Sequence, residues 1–146
     1  MKVVASIQAR LGSKRLPGKV LKNINGKSIL MRLVERLRRV KTIDDIIVAT
    51  TINPDDDAIV KFCIENNINY FRGSENDVLD RIASMIDEKN IDVHVECFGD
   101  SPLLDPQIVD EVVGYFLKHY KKIDFVSNSL ITSYPVSYTH LRAHET

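Results

Sequence analysis

The sequence predicts an α/β fold of three layers, α/β/α, with a mostly parallel sheet between two layers of helices. Three observations predict it. Short β-branched runs free of charge alternate with longer amphipathic segments, as buried parallel strands alternate with crossover helices. Helix-start chemistry, a Ser, Asn or Asp sometimes followed by Pro, recurs before the amphipathic segments. The 146 residues are 44% hydrophobic and 27% charged. That is enough chain for one core, and the composition excludes a largely disordered state.

The elements follow in order. "VVASIQA" (3–9) is short, branched and uncharged, a buried strand. Ser28 caps a helix over 29–40, with Ile29, Leu30, Leu33, Val34 and Leu37 on one stripe. "DIIVATT" (45–51) is the second strand. Asn53 then caps, Pro54 takes the first helical position, and Asp55, Asp56 and Asp57 face the positive end of the helix dipole. "INYF" (68–71) is a third strand, 76–89 a helix, and "DVHVECF" (92–98) a fourth strand. Asp105 and Pro106 repeat the cap-plus-proline device before a helix bearing Ile108, Val109, Val112, Val113 and Phe116. "DFVSN" (124–128) begins a fifth strand. The order βαβαβαβαβ places ligands beyond the carboxyl ends of the strands, where 10–19, 72–80 and 99–105 fall.

Composition narrows the function classes. No apolar run approaches the ~20 residues of a membrane span. The N-terminal "MKVVASIQAR" meets arginine too soon for a signal peptide, so a cytoplasmic location is expected. Cys63 and Cys97 sit in apolar patterns and read as reduced, buried thiols. Neither CxxC nor paired-His spacing is present for zinc. Net charge is zero, but the first 34 residues hold eight Lys or Arg and no acid, so they carry +8 and the remainder −8. This asymmetry points to an anionic ligand near the N-terminus, or to a solvated basic face.

The basic residues concentrate in "IQARLGSKRLPGKVL" (7–21). Gly12 and Gly18 enclose five residues where a P-loop encloses four, and Val follows Lys19 where a P-loop has Ser or Thr. Pro17 removes one backbone donor. What remains is a bent turn after a buried strand, offering backbone N–H groups with Arg10, Lys14, Arg15 and Lys19. It suits a polyphosphate; the other readings are a solvated basic loop and an RNA-binding edge. Asp100, just after the fourth strand, is placed to share a hard cation such as magnesium with phosphates, or to serve as a turn residue. Asp105 reads as a helix cap. Arg72 and Gly73 end a strand where a ligand could sit, and Asp77, Asp80 and Arg81 read equally as site residues or as caps and surface ion pairs. His94 and His119 have no partners for nucleophilic catalysis.

Five segments carry a family resemblance: "IQARLGSKRLPGKVL", "DDIIVATTINPDDDAIV", "YFRGSENDVLDR", "FGDSPLLDPQIVDEV" and "DFVSNSLITSYP". Together they resemble the cytidylyltransferases of spore-coat polysaccharide biosynthesis, relatives of the CMP-sialic acid and CMP-KDO synthetases. The resemblance implies a nucleotide-diphospho-sugar transferase-like (GT-A-like) fold. It also implies magnesium-dependent transfer of CMP from CTP to a sugar with release of pyrophosphate. By position, Ala9, Arg10, Leu11, Gly12 and Ser13 would line the nucleotide pocket. Arg10, Lys14, Arg15 and Lys19 would hold the triphosphate, Arg72 and Gly73 would border the nucleotide, and Asp100 would bind Mg2+. Arg10, Lys19 and Asp100 would be the catalytic set.

The last eleven residues, "VSYTHLRAHET" (136–146), show neither strand alternation nor a helical stripe. They resemble a translated sequencing-library adapter. The expectation is therefore that residues 1–135 are the N-terminal part of a single nucleotidyltransferase domain and 136–146 a non-native tail, with His140 and His144 given no role. The fold is expected to be C-terminally truncated and this chain inactive or nearly so, whereas the intact protein is expected to turn over and to form a homodimer, as relatives often do through the missing C-terminal part. The alternatives are a non-catalytic nucleotide-sugar-binding domain of the same fold and a nucleic-acid-binding module. The absence of interleaved aromatics argues against the latter, so no nucleic acid and no membrane are expected as partners.

Overall fold

A computed structural model describes residues 1–128 together with the backbone of 142–145. Most of the adapter-like tail, His140 included, lies outside the described residues. β1 (Val3–Gln8) opens the chain, and its five leading residues are buried, as the unbroken apolar run requires. Ser28 caps α1 (Ile29–Leu37), its Oγ accepting from the Met31 N–H at 3.1 Å. The helix ends three residues before the expected point.

β4 (Asp45–Thr51) is followed by Asn53, whose side chain accepts from the Asp55 N–H. Asn53 caps a 3-10 turn (Pro54–Asp56) and not an α-helix; α2 (Asp57–Glu65) starts only after that turn. β5 (Asn69–Gly73) precedes α3 (Val78–Lys89), and β6 (Val93–Phe98) precedes α4 (Pro106–His119). Asp77 and Asp105 are the N-caps of α3 and α4. β7 (Phe125–Ser127) and β8 (Arg142–Glu145) complete the main sheet.

Sequence reading did not foresee a small hairpin, β2 (Asn23–Ile24) with β3 (Lys27–Ser28). Asn25 (φ 51) and Gly26 (φ 87) form its two-residue turn, the Asn-Gly chemistry that positive φ at both positions favours.

The main sheet has the order β5-β4-β1-β6-β8-β7. β5, β4, β1 and β6 are parallel; β8 runs antiparallel to both β6 and β7. The fifth expected strand, β7, therefore does not join β6 directly, because residues 142–145 pair between them. Pairing through backbone bonds alone tolerates many sequences.

α1, α2 and α4 pack on one face, where Leu33, Leu37, Ile59, Cys63, Val113 and Phe116 meet Val3, Ala5 and Ile7. α3 covers the other face, Met85 packing against Val4, Ile47, Ala49 and Phe71. Three layers result, as the alternating pattern predicts. On the α3 face the apolar lining gives way to Ser6 and Gln8 of β1 and, by period 2, to His94 and Glu96 of β6.

Candidate nucleotide site

β1 and β6 end side by side, and their following loops face each other across a cleft of about 490 Å3, within the size range of small-molecule sites. The loop after β1 is closed by one residue's backbone. The Leu11 carbonyl accepts from Ser13 N–H (2.9 Å) and Gly18 N–H (3.0 Å), and the Leu11 N–H donates to Asp56 Oδ1 at 2.8 Å. Gly18 turns the chain in the left-handed region (φ 68, ψ 15) before the 3-10 turn Lys19–Leu21. Gly12 does not share that need: it is not left-handed, and a Cβ there would meet nothing. Of the two glycines expected to bend the loop, only Gly18 is conformationally required.

Arg10, Lys14 and Arg15 are exposed and line the cleft together with Gly12, Ser13 and Lys19. Ala9 is buried, its N–H bonded to Ala49 O at 3.0 Å, and Leu11 is half-buried beneath the loop. Across the cleft, Gly99 N–H donates to Gln8 O at 3.0 Å, and a Cβ on Gly99 would approach that same oxygen to 2.8 Å. Glycine therefore lets the β6 end lie against β1 and brings Asp100 to the loop. Lys19 Nζ donates to Asp100 Oδ2 at 2.9 Å. Arg10, Lys14, Arg15, Lys19 and Asp100 thus converge as the sequence suggests: four cations and one carboxylate, a field that attracts a polyanion.

Arg72 and Gly73 lie elsewhere. The Arg72 guanidinium donates to Thr51 O (2.8 Å), Asn53 O (2.8 Å) and Asp57 Oδ1 (2.6 Å), clamping the β4–α2 connection, and it does not line the cleft. Gly73 serves packing. A Cβ there would sit 2.7 Å from Arg81 Cγ and 2.9 Å from Phe71 Cε1.

Three further residues shape the site: Asp56 and Gln8, to which sequence reasoning gave no site role, and Arg81, read equally as a site residue or a surface ion pair. Asp56, read as one of three acids facing the helix dipole, is 3% exposed. It holds the Leu11 N–H on one oxygen and the Thr51 hydroxyl on the other through a short bond. Arg81, for which a surface ion pair was one reading, is 4% exposed. Burial, then the nearby Arg10 charge, pull its pKa below the ordinary guanidinium value, while Asp56 acts in the opposite sense. Gln8 lines the cleft and accepts from Arg81 Nε at 3.2 Å. The only sequence signal for these three was position: the end of one strand and the first turns of two helices.

Other features carry no comparable chemistry. A cavity of about 260 Å3 at the amino ends of the strands is lined by Asp44 and Asp45. Those carboxylates accept from Val3 N–H and from the Asn69 amide. Cys63 and Cys97 are buried with raised pKa values of about 11 and about 12; burial is the main cause for both, and the Glu96 charge adds to it at Cys97. Among the described residues no group of three or more His, Cys, Asp or Glu could hold a metal, and no helix is long and apolar enough to cross a membrane.

Comparison with known proteins places this geometry. Residues 4–141 match the family model described as cytidylyltransferase. The uncharacterized protein MJ1063 of Methanocaldococcus jannaschii is 47% identical over 131 residues, 90% of this chain and 53% of that protein. The spore coat polysaccharide biosynthesis protein SpsF of Bacillus subtilis is 39% identical over 111 residues, 73% of this chain and 46% of that protein. Among solved structures, a cytidylyltransferase from Leptospira borgpetersenii superposes with a TM-score of 0.93 at 34% identity, covering 99% of this chain and 60% of that one. The chain spans about half the length of the curated relatives it matches.

Proposed function

We propose, from the premise that this chain belongs to the cytidylyltransferase family, that its cleft binds CTP for transfer of CMP to a sugar in polysaccharide biosynthesis. The observation that carries the reading is the convergence of Arg10, Lys14, Arg15 and Lys19 on one cleft opposite Asp100, at the carboxyl end of a parallel sheet. In the transfer, a sugar hydroxyl oxygen bonds to the α-phosphorus and the bond from that phosphorus to the bridging oxygen breaks. Pyrophosphate leaves with the electron pair, and the hydroxyl proton goes to solvent. The chain supplies position and charge: Arg10, Lys14 and Arg15 offer charge-assisted bonds to phosphate oxygens, each worth ~1.5–3 kcal/mol. Lys19 stands where it can neutralise charge growing on the leaving pyrophosphate.

The donor set fits a divalent cation carried largely by its substrate. Asp100 is half-exposed, with its oxygens at the cleft, and among the described residues no second acid lines the cleft. Magnesium typically takes one or two carboxylates and fills its shell with water and phosphate oxygens. Asp100 would hold Mg2+, which when bound draws charge from the phosphates. A cytoplasmic site, where CTP is found, belongs to the same proposal, as does the assignment of 1–135 to the nucleotidyltransferase domain and of 136–146 to a non-native tail. That last assignment rests on the adapter resemblance.

The test compares this 146-residue chain with a form in which Pro135 continues into the uninterrupted gene product, measuring CTP binding and CTP-dependent pyrophosphate release. Both forms are expected to bind CTP with Mg2+, and only the longer one to release pyrophosphate, an activity lost in Asp100→Asn. Binding without release by either form assigns a non-catalytic nucleotide-sugar-binding domain. Robust turnover by the 146-residue chain overturns the domain assignment, and no CTP binding by either form overturns the site.

A further inference from the structure

A buried cation rarely stands behind a phosphate cleft without a task, because burying a charge is costly unless its bonds are made. Arg81 reaches from the first turn of α3 to the end of β1. Its path is open because residue 73 has no side chain. NH1 donates to Ser74 O at 2.6 Å, and Nε donates to Gln8 Oε1 at 3.2 Å. A guanidinium can only donate, so this contact fixes which end of the Gln8 amide is its oxygen. The NH2 end is then turned the other way, where Nε2 donates to Ser6 Oγ at 3.2 Å. Ser6 Oγ in turn lies 2.7 Å from Nε2 of the fully buried His94. The amide is thus held from both ends, yet Gln8 is half-buried and lines the cleft. An NH2 group has two hydrogens, and Ser6 takes one.

We propose that Gln8 is a nucleotide-binding residue, its second amide hydrogen donated to an acceptor oxygen of the bound nucleotide, and that Arg81 is the positioning residue that holds the amide in that orientation. The proposal rests on the reading of the cleft as a CTP site. It gives the buried arginine a purpose that fold stability alone does not require: a rigid, uncharged donor beside the four cations of the loop, set by a second layer of side chains.

The experiment is calorimetric titration of the 146-residue chain with CTP and Mg2+, paired with thermal melting. Gln8→Leu removes the donor and is expected to weaken binding about 3- to 10-fold, the range for one hydrogen bond. Gln8→Glu keeps a partner for Arg81, so melting is expected to hold, while affinity falls at least as far because the donor becomes an anion. Arg81→Lys is expected to weaken binding about threefold in the native background and to add nothing in the Gln8→Leu background, the signature of action through Gln8. Gln8→Glu binding CTP within twofold of wild type overturns the donor role. Equal cost of Arg81→Lys in both backgrounds overturns the positioning role. Arg15→Ala separates the two readings. If it weakens CTP binding while both Gln8 variants do not, only the present proposal fails; if no variant binds or alters binding of CTP, the nucleotide site itself fails.

Discussion

Replacing Asp56 with alanine tests whether the basic loop is held from below. The carboxylate is 3% exposed and has two donors, the Leu11 N–H at 2.8 Å and the fully buried Thr51 hydroxyl. Thr51 Oγ1 also accepts from Asn53 N–H at 3.1 Å, so the same carboxylate braces the turn that precedes α2. Truncation leaves two donors without acceptors, each costing about 1–3 kcal/mol. Relief from burying a charge offsets part of this, for a net loss of about 2–4 kcal/mol. For a chain of this size that is a drop of roughly 6 to 15 °C in Tm. Asp56→Asn is milder, about 1 kcal/mol, because its oxygen still accepts from Leu11 and the Thr51 hydroxyl can turn to accept from the amide. Urea denaturation gives the stability loss, and hydrogen exchange at the Leu11 amide locates it. The Leu11 amide is expected to exchange faster in Asp56→Ala by more than the global loss explains, with CTP affinity falling alongside. A variant that melts within 2 °C of wild type and protects Leu11 as before would refute the reasoning.

Gly73→Ala forces a Cβ to within 2.7 Å of Arg81 Cγ and 2.9 Å of Phe71 Cε1. Overpacking of this kind costs about 1–3 kcal/mol, to be read from the urea midpoint. Cys63 and Cys97 titrate far above the ordinary thiol value, at about 11 and about 12. The unfolded thiols release their protons first as pH rises, so stability owed to them is intact below about pH 9 and declines from there toward 11 and 12. Labelling by a neutral thiol reagent at pH 8 is expected to proceed only at the rate of opening, which a denaturant series measures; fast labelling of the native protein would contradict their burial.

The parts of the fold that were legible in sequence are those decided by short-range chemistry. Ser28, Asn53 and Asp105 cap where expected because each satisfies a donor two or three residues ahead. The hairpin at Asn23–Ser28 was missed although Asn25-Gly26 announces its turn, since strands of two residues are too short to show alternation. The basic loop was legible because crowded like charges are visible in composition alone. Strand-end position suggested a ligand contact for Arg72, and the sequence did not show that carbonyls of the neighbouring loop take two of its donors. Asp56 was opaque for a geometric reason. The chain after Asn53 makes a 3-10 turn, which rotates the second acid, Asp56, inward where an α-helical reading points it at solvent. Arg81 was opaque because its burial depends on what residue 73 lacks.

These buried groups bear on how the loop can wait for a ligand. Arg10, Lys14 and Arg15 repel one another, and an unbraced loop would separate them until a polyanion arrived, then lose that freedom on binding. Here Leu11 closes the loop through two backbone–backbone bonds and one from its N–H to the Asp56 carboxylate, none of which uses a basic side chain. The ordering cost is therefore met largely at folding, and the exposed cations remain available for phosphate. Lys19 is engaged with Asp100, and both side chains keep solvent contact, at 33% and 52% exposure. Such exposed pairs contribute at most about 1 kcal/mol. Moving the ammonium from carboxylate to phosphate therefore costs less than one charge-assisted bond returns. On the proposed reading of the cleft, the same displacement would free the Asp100 oxygens, so that binding of a triphosphate and access of a divalent cation to the carboxylate would favour each other.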